Sequence, residues 1–135
     1  MSQQKIFLKA AWRNLLIANY TCNEEILKKY LPAHTELDTF NGQHLISLVA
    51  FQFLETKVLG IKFPFHTNFP EVNLRFYVKY NDKGTWKRGV VFIKEIVPKT
   101  MITFVANTFF NENYETMSMA QQVAIKQDAI YANYT

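Results

Sequence analysis

The sequence predicts an α+β fold built mainly of antiparallel strands, and three observations carry that expectation. Twelve Phe, seven Tyr and two Trp stand against only four Gly and four Pro in 135 residues. Aromatic side chains suit pleated, half-buried surfaces, and the composition argues against an all-helical bundle. The stretch "FPEVNLRFYV", Phe69 to Val78, alternates with period two: Val72, Leu74, Phe76 and Val78 fall on one side, Glu71, Asn73, Arg75 and Tyr77 on the other. Finally, Asn41-Gly42 and "NDKG" are turn signals lying between apolar runs.

Each element follows in chain order. "WRNLLIANYT", Trp12 to Thr21, is a compact apolar run that periodicity alone does not separate from a helix, and it is read as a buried strand. "NEEILKKYLP" is a short helix. Asn23 caps it, Glu24 and Glu25 suit its positive end, Lys28 and Lys29 its negative end, and Pro32 stops it. Ile26, Leu27, Tyr30 and Leu31 are its expected packing face. "TELDTF" and "QHLISLVAFQFLETKVL" flank Asn41-Gly42 and are expected to pair as a hairpin. Pro64 and Pro70 mark "GIKFPFHTNFP" as a long loop. Past the "FPEVNLRFYV" strand and the "NDKG" turn, "TWKRGVVFIKEIV" is a further antiparallel strand. "PKTMITFVANTFF" is open to two readings: Pro98 in a helix's first turn would put Ile102, Val105 and Phe109 on one face, while the β-branched content argues for a strand, and the helix is the preferred reading. The remainder yields two or three strand pieces turning near Lys126 to Asp128.

Length and composition fit one domain over residues 1–135, with no internal repeat and no linker. Net charge is +4, but the basic residues are spread in ones and twos, as in "EEILKKYL" and "WKRG". That is a mixed solvated surface rather than a nucleic-acid footprint, so no nucleic-acid partner is expected. A lone cysteine, Cys22, excludes an internal disulfide and points to a reducing, cytoplasmic setting. Arg13 and Asn14 interrupt the apolar start before it reaches signal-peptide length. No run approaches the ~18 to 20 apolar residues of a membrane helix, so a soluble protein is expected.

The functional question is which way the polar side of the Phe69–Val78 strand faces. An acid, an amide, a guanidinium and a phenol in a row lie either on a wet outer surface or on the wall of a polar cavity, and alternation alone permits both. Other chemistry-bearing residues read more blandly. Lys94 shares an expected face with Phe92 and Ile96, where a desolvated lysine would become a nucleophile, but an ammonium reaching water is the usual outcome. His34, His44 and His66 lack paired ligand spacing, so no metal is expected. Cys22 has no histidine neighbour in sequence, and Ser47 sits in no Gly-x-Ser-x-Gly elbow.

Three stretches carry a family resemblance: "YLPAHTELDTFNGQHLISLVAF" after a Trp-Arg strand start, "FPEVNLRFYV", and "KRGVVFIKEIVPK". Together the chain resembles the YqjF-like bacterial family within the acetoacetate decarboxylase-like superfamily. The resemblance implies a partial β-barrel or cone with one or two short helices, incomplete at its C-terminal end because members run longer. It implies a ligand-binding set of Arg13, Glu71, Asn73 and Arg75 lining a cavity, with a small anionic or carbonyl compound as ligand and no cofactor. The Schiff-base lysine of the decarboxylases would fall near "FFNENYETM", which contains no lysine, so decarboxylation is not expected. The other reading is an interaction domain that forms homo-oligomers through sheet edges left open by missing strands.

Overall fold

A computed structural model of the chain describes residue 6 and residues 8–58, 60–111 and 113–135, apart from the side chains of Leu8, Met101, Val105, Ala106, Phe109 and Phe110. Val105 and Phe109, expected on the face of the second helix, therefore lie outside the described side chains, as do residues 1–5 and 7 of the apolar start. In order come β1 (Leu8–Thr21), α1 (Glu24–Leu27) running into a 3-10 turn (Lys28–Tyr30), β2 (Glu36–Leu37), β3 (Leu45–Val58), β4 (Phe69–Asp82), β5 (Thr85–Val97), α2 (Thr100–Phe110), β6 (Tyr114–Thr116), β7 (Gln121–Lys126) and β8 (Ala129–Tyr134). One sheet has the order β1-β3-β4-β5-β6, with β2 also on β4, and β7 and β8 form a separate hairpin. No described helix is long and apolar enough to cross a membrane.

Local chemistry explains the turns. Asn41 (φ 50°) and Gly42 (φ 76°) take the left-handed region, and Phe40 and Gln43 exchange backbone hydrogen bonds across them. That is the conformation a two-residue hairpin loop demands. Lys83 (φ 50°) and Gly84 (φ 93°) do the same between β4 and β5, where the Asn81 side chain accepts from the Gly84 N–H. Asn23 caps α1 by accepting from the Glu25 N–H at 2.9 Å.

Several expectations are corrected. The stretch before Asn41-Gly42 does not pair along β3: β2 joins β4, with Glu36 opposite Lys79 and Leu37 opposite Val78. β3 stops pairing with β4 at Ile46 and Phe76, and β2 takes up the length of β4 beyond that point. Ile26 and Tyr30 are exposed; Leu27 is the buried residue of the first helix, because the element is only one turn of α-helix followed by a tighter 3-10 turn. Pro98 precedes the helix by two residues instead of sitting in its first turn. β6 runs parallel to β5, an exception to the antiparallel order. Among the described residues the sheet is open and closes into no barrel, since β1 and the three-residue β6 are its outer strands.

Residues directly opposite in paired strands share a face, so register fixes which side each group occupies. One face carries Ser47, Val49, Phe51 and Phe53 of β3 opposite Arg75, Asn73, Glu71 and Phe69 of β4. Val49, Phe51, Phe53, Phe69 and Val97 form a buried cluster there, with Ala10, Ile102 of α2 and Tyr114 of β6 packed on it. On the other face Leu27, Phe76 and Val78 are buried together with Cys22, Leu31, Leu37, Ile46, Val91 and Ile93 around them. The polar side of β4 is thus turned toward α2 and β6.

Candidate functional site

A row of side chains crosses four strands on the α2 side: Val49 of β3 opposite Asn73 of β4, Asn73 opposite Glu95 of β5, and Glu95 opposite Tyr114 of β6. Glu71 lies two residues along β4 on the same face, opposite Phe51. Relative exposure is 2% for Glu71, 1% for Asn73 and 4% for Glu95, which answers the question posed by the alternation: these groups do not look at bulk water. Acids and amides are seldom buried this deeply unless hydrogen-bonded.

The bonds are present. Asn73 Nδ2 donates to Glu71 Oε1 at 3.1 Å, and the Tyr114 hydroxyl donates to Glu71 Oε2 at 3.1 Å. Burial pushes the Tyr114 phenol well above its ordinary range, and the charges of Glu71 and Glu95 push it further, as do its hydrogen bonds to them. Tyr114 is therefore a permanent donor held against two carboxyl groups. Asn73 Oδ1 and Arg75 Nε are buried and have no hydrogen-bond partner among the described residues.

Toward the other end of β4 the polar strip continues. The Ser47 hydroxyl donates to Asn19 Oδ1 of β1 and lies 2.7 Å from the Tyr77 hydroxyl. Beyond Tyr77 an open cleft of about 230 Å³ is lined by Asp38, Phe40, Leu45, Tyr77 and Arg88, with Arg88 Nε 3.1 Å from the Asp38 carboxylate.

Of the four residues expected to line a cavity, the structure brings together Glu71, Asn73 and Arg75 on one face, with Arg75 only half-buried. Arg13 is not among them. It pairs with Gln52, whose neighbours Phe51 and Phe53 point to the Glu71 side, so Arg13 is on the opposite face and exposed. Trp12, itself half-exposed, lies on the Glu71 face instead, stacked on Phe51 with ring centroids 4.6 Å apart.

Lys94 reaches water as expected and keeps its face with Ile96, but not with Phe92. A bulge in β5 places Phe92 opposite Arg75 and Lys94 opposite Leu74, so the two no longer share a face. The Lys94 ammonium pairs with Glu115 at 2.9 Å and is well exposed. His44 Nε2 lies 3.6 Å from Glu24, and no group of three His, Cys, Asp or Glu among the described residues could hold a metal ion.

Sequence reasoning missed Glu95 and Tyr114. Glu95 had a partial signal, since it alternates with Val97 in an apolar strand, although the bulge in β5 carries Ile93 to the other face. Tyr114 had none, because only the parallel β5–β6 pairing carries it to Glu95.

The fold and its buried cluster define a β-rich protein with an open, mostly antiparallel sheet and an acid-bearing interior face. The DUF2071 family, described as uncharacterized conserved protein (COG2071), matches residues 9–134, and the chain belongs to that family. It is 35% identical over 109 residues to the uncharacterized protein YqjF of Bacillus subtilis (strain 168), a match covering 79% of this chain and 43% of that protein. The chain thus spans less than half the length of the curated relative it matches.

Proposed function

We propose that the α2-side face binds a small molecule carrying a carbonyl or carboxylate group, in the manner implied by an acetoacetate decarboxylase-like ancestry. Arg75 supplies the donor, and Glu71 the proton-exchanging group beside Asn73. The observation that carries the reading is Arg75 Nε, buried with no acceptor among the described residues and two positions from the Asn73–Glu71 pair. A ligand oxygen would satisfy it, and a guanidinium suits a carboxylate in particular. Schiff-base chemistry is not part of this reading, because the segment from Phe109 to Met117 has no lysine.

Titrating the ¹⁵N-labelled chain with acetate, pyruvate, acetoacetate and acetone tests it. Saturable shifts are expected at Asn73 to Arg75 for at least one probe. Arg75→Ala should weaken that binding by about tenfold or more, the value of a charge-assisted hydrogen bond. Absence of saturation with every probe, or binding unchanged in the variant, would discard the site.

A second reading, association between copies, is favoured by β1. It is fourteen residues long, is an outer strand of the sheet, and leaves Leu15, Leu16, Ile17 and Tyr20 about half exposed. A long apolar edge invites strand pairing. Light scattering should then give a dimer or larger for the chain and a monomer for Ile17→Lys; a monomeric mass for both rejects it.

A further inference from the structure

We infer that the ligand of the α2-side face is a short amino acid, held by its carboxylate at Arg75 and by its ammonium at Asn73, beside Glu71 and Glu95. This rests on the binding reading above and names the class of molecule bound. Two buried atoms on one strand face carry it. Among the described residues Arg75 Nε is a donor without an acceptor, and Asn73 Oδ1 is an acceptor without a donor. Asn73 is 1% exposed, and its Nδ2 is already committed to Glu71 Oε1. A buried polar atom with no partner is costly and calls for an explanation. A plain carboxylate or ketone satisfies Arg75 alone, because it brings no proton for the Asn73 oxygen. The molecule that completes both is one with an anionic acceptor at one end and a donor at the other.

Charge decides which donor. Arg75 enters no ion pair among the described residues. Its cross-strand neighbours, Ser47 of β3 and Phe92 of β5, bring no anion to it. The acids gather at the other end, with Glu71 two positions along β4 from Asn73 and Glu95 directly across from Asn73 on β5. The face thus runs from acidic at Glu71 and Glu95 to cationic at Arg75, with the open acceptor between them. An ammonium is drawn to the acidic end whatever partners those carboxyls already hold, whereas a hydroxyl would satisfy Asn73 without using that field. Spacing agrees. Alternate residues of a strand stand about 6.5–7 Å apart, and the one or two carbons between the amine and carboxylate of an α- or β-amino acid, with a hydrogen bond at each end, bridge that length. Exposure sets the direction: Arg75 is half-buried while Glu71, Asn73 and Glu95 are 4% exposed or less, so the ammonium lies deep and the carboxylate nearer solvent.

The test is a ¹⁵N titration of the chain at pH 7 with probes of similar size: L-alanine, β-alanine, lactate, propionate and propylamine. One of the two amino acids should shift Asn73 and Arg75 saturably, with a dissociation constant at least about tenfold below those of the other three classes, as one charge-assisted hydrogen bond gives. Arg75→Ala should bring that amino acid down to the level of propylamine. E71Q, which removes one acid, should weaken the amino acid without weakening propionate, a change of order that a general loosening of the site would not produce. Lactate or propionate binding as tightly as both amino acids overturns the inference and leaves the carboxylate reading standing. Propylamine binding as tightly as they do overturns it too, since the carboxylate would then contribute nothing at Arg75. If no probe with a carboxylate saturates, the binding reading falls and takes the inference with it. These comparisons are made on the parent chain and do not depend on either variant folding.

Discussion

Truncating Phe51 to alanine is expected to lower the stability of the chain by about 3–5 kcal/mol, the range for emptying a fully buried aromatic site. Phe51 has no exposed surface, and its ring lies 4.6 Å from that of Trp12 and 5.0 Å from that of Phe53. The loss joins the transfer free energy of the ring to the cost of a cavity that a pleated sheet closes poorly, because its strands are held in register by backbone bonds. Phe51 is also the residue opposite Glu71. Removing it therefore opens one wall of the acid cluster as well as the core. Urea unfolding followed by tryptophan fluorescence measures the change, with Phe65→Ala as control. Phe65 is 87% exposed, and its truncation should alter stability by no more than about 0.5 kcal/mol. A Phe51→Ala chain within about 1 kcal/mol of the parent would mean that the ring is not part of the core.

Alternation along β4 was legible from Phe69 to Val78 because period two is a property of the strand itself. What it could not reveal was which side would be covered. Both sides are, and the coverage comes from elsewhere: Leu27 and its neighbours pack on Phe76 and Val78, while Ile102 and Tyr114 pack on the Glu71 side. Turn chemistry was equally legible, since Asn41-Gly42 and Lys83-Gly84 need left-handed backbone and take it. Pairing partners were less so. The Asn41-Gly42 turn forms, yet the strand before it belongs to β4, because hydrogen bonding from Asp38 N–H to the Tyr77 carbonyl continues a ladder that β3 has left.

The site was half legible for the same reason. Glu71, Asn73 and Arg75 are neighbours on one strand and stay together whatever the tertiary fold does. Arg13 was assigned by resemblance, but the β1–β3 register sets it opposite Gln52 and puts its half-exposed neighbour Trp12 on the Glu71 face, against Phe51 and Phe53. Lys94 drew attention that belonged to Glu95, and the bulge that separates Lys94 from Phe92 leaves no mark on an alternating sequence. Groups contributed by other strands, Glu95 and Tyr114, become neighbours of Glu71 only through pairing.

Tyr114 gives the second large effect, and it appears in alkali. Its phenol is held above the ordinary value near 10, first by burial and then by the charges of Glu71 and Glu95. A group whose folded pKa is raised stabilises the fold fully below its unfolded pKa and loses that contribution as pH climbs beyond it. Between pH 10 and the folded midpoint, the unfolded chain ionises its tyrosine while the folded chain keeps the proton. Each unit of pH in that window should cost about 1.4 kcal/mol. Tyr114→Phe removes this dependence and also removes the hydroxyl that donates to Glu71. At pH 8 the variant should be less stable by about 1.5–3 kcal/mol, the worth of a hydrogen bond to a charged group. The gap should then narrow above pH 10, because only the parent chain pays for keeping the phenol neutral. Tyr134, also raised by burial, contributes equally to both proteins and cancels in the difference. Stability curves of the two proteins that run parallel from pH 8 to pH 11 would mean that Tyr114 is not held between the acids, and the hydrogen-bonded chain through Glu71 would lose its anchor on β6.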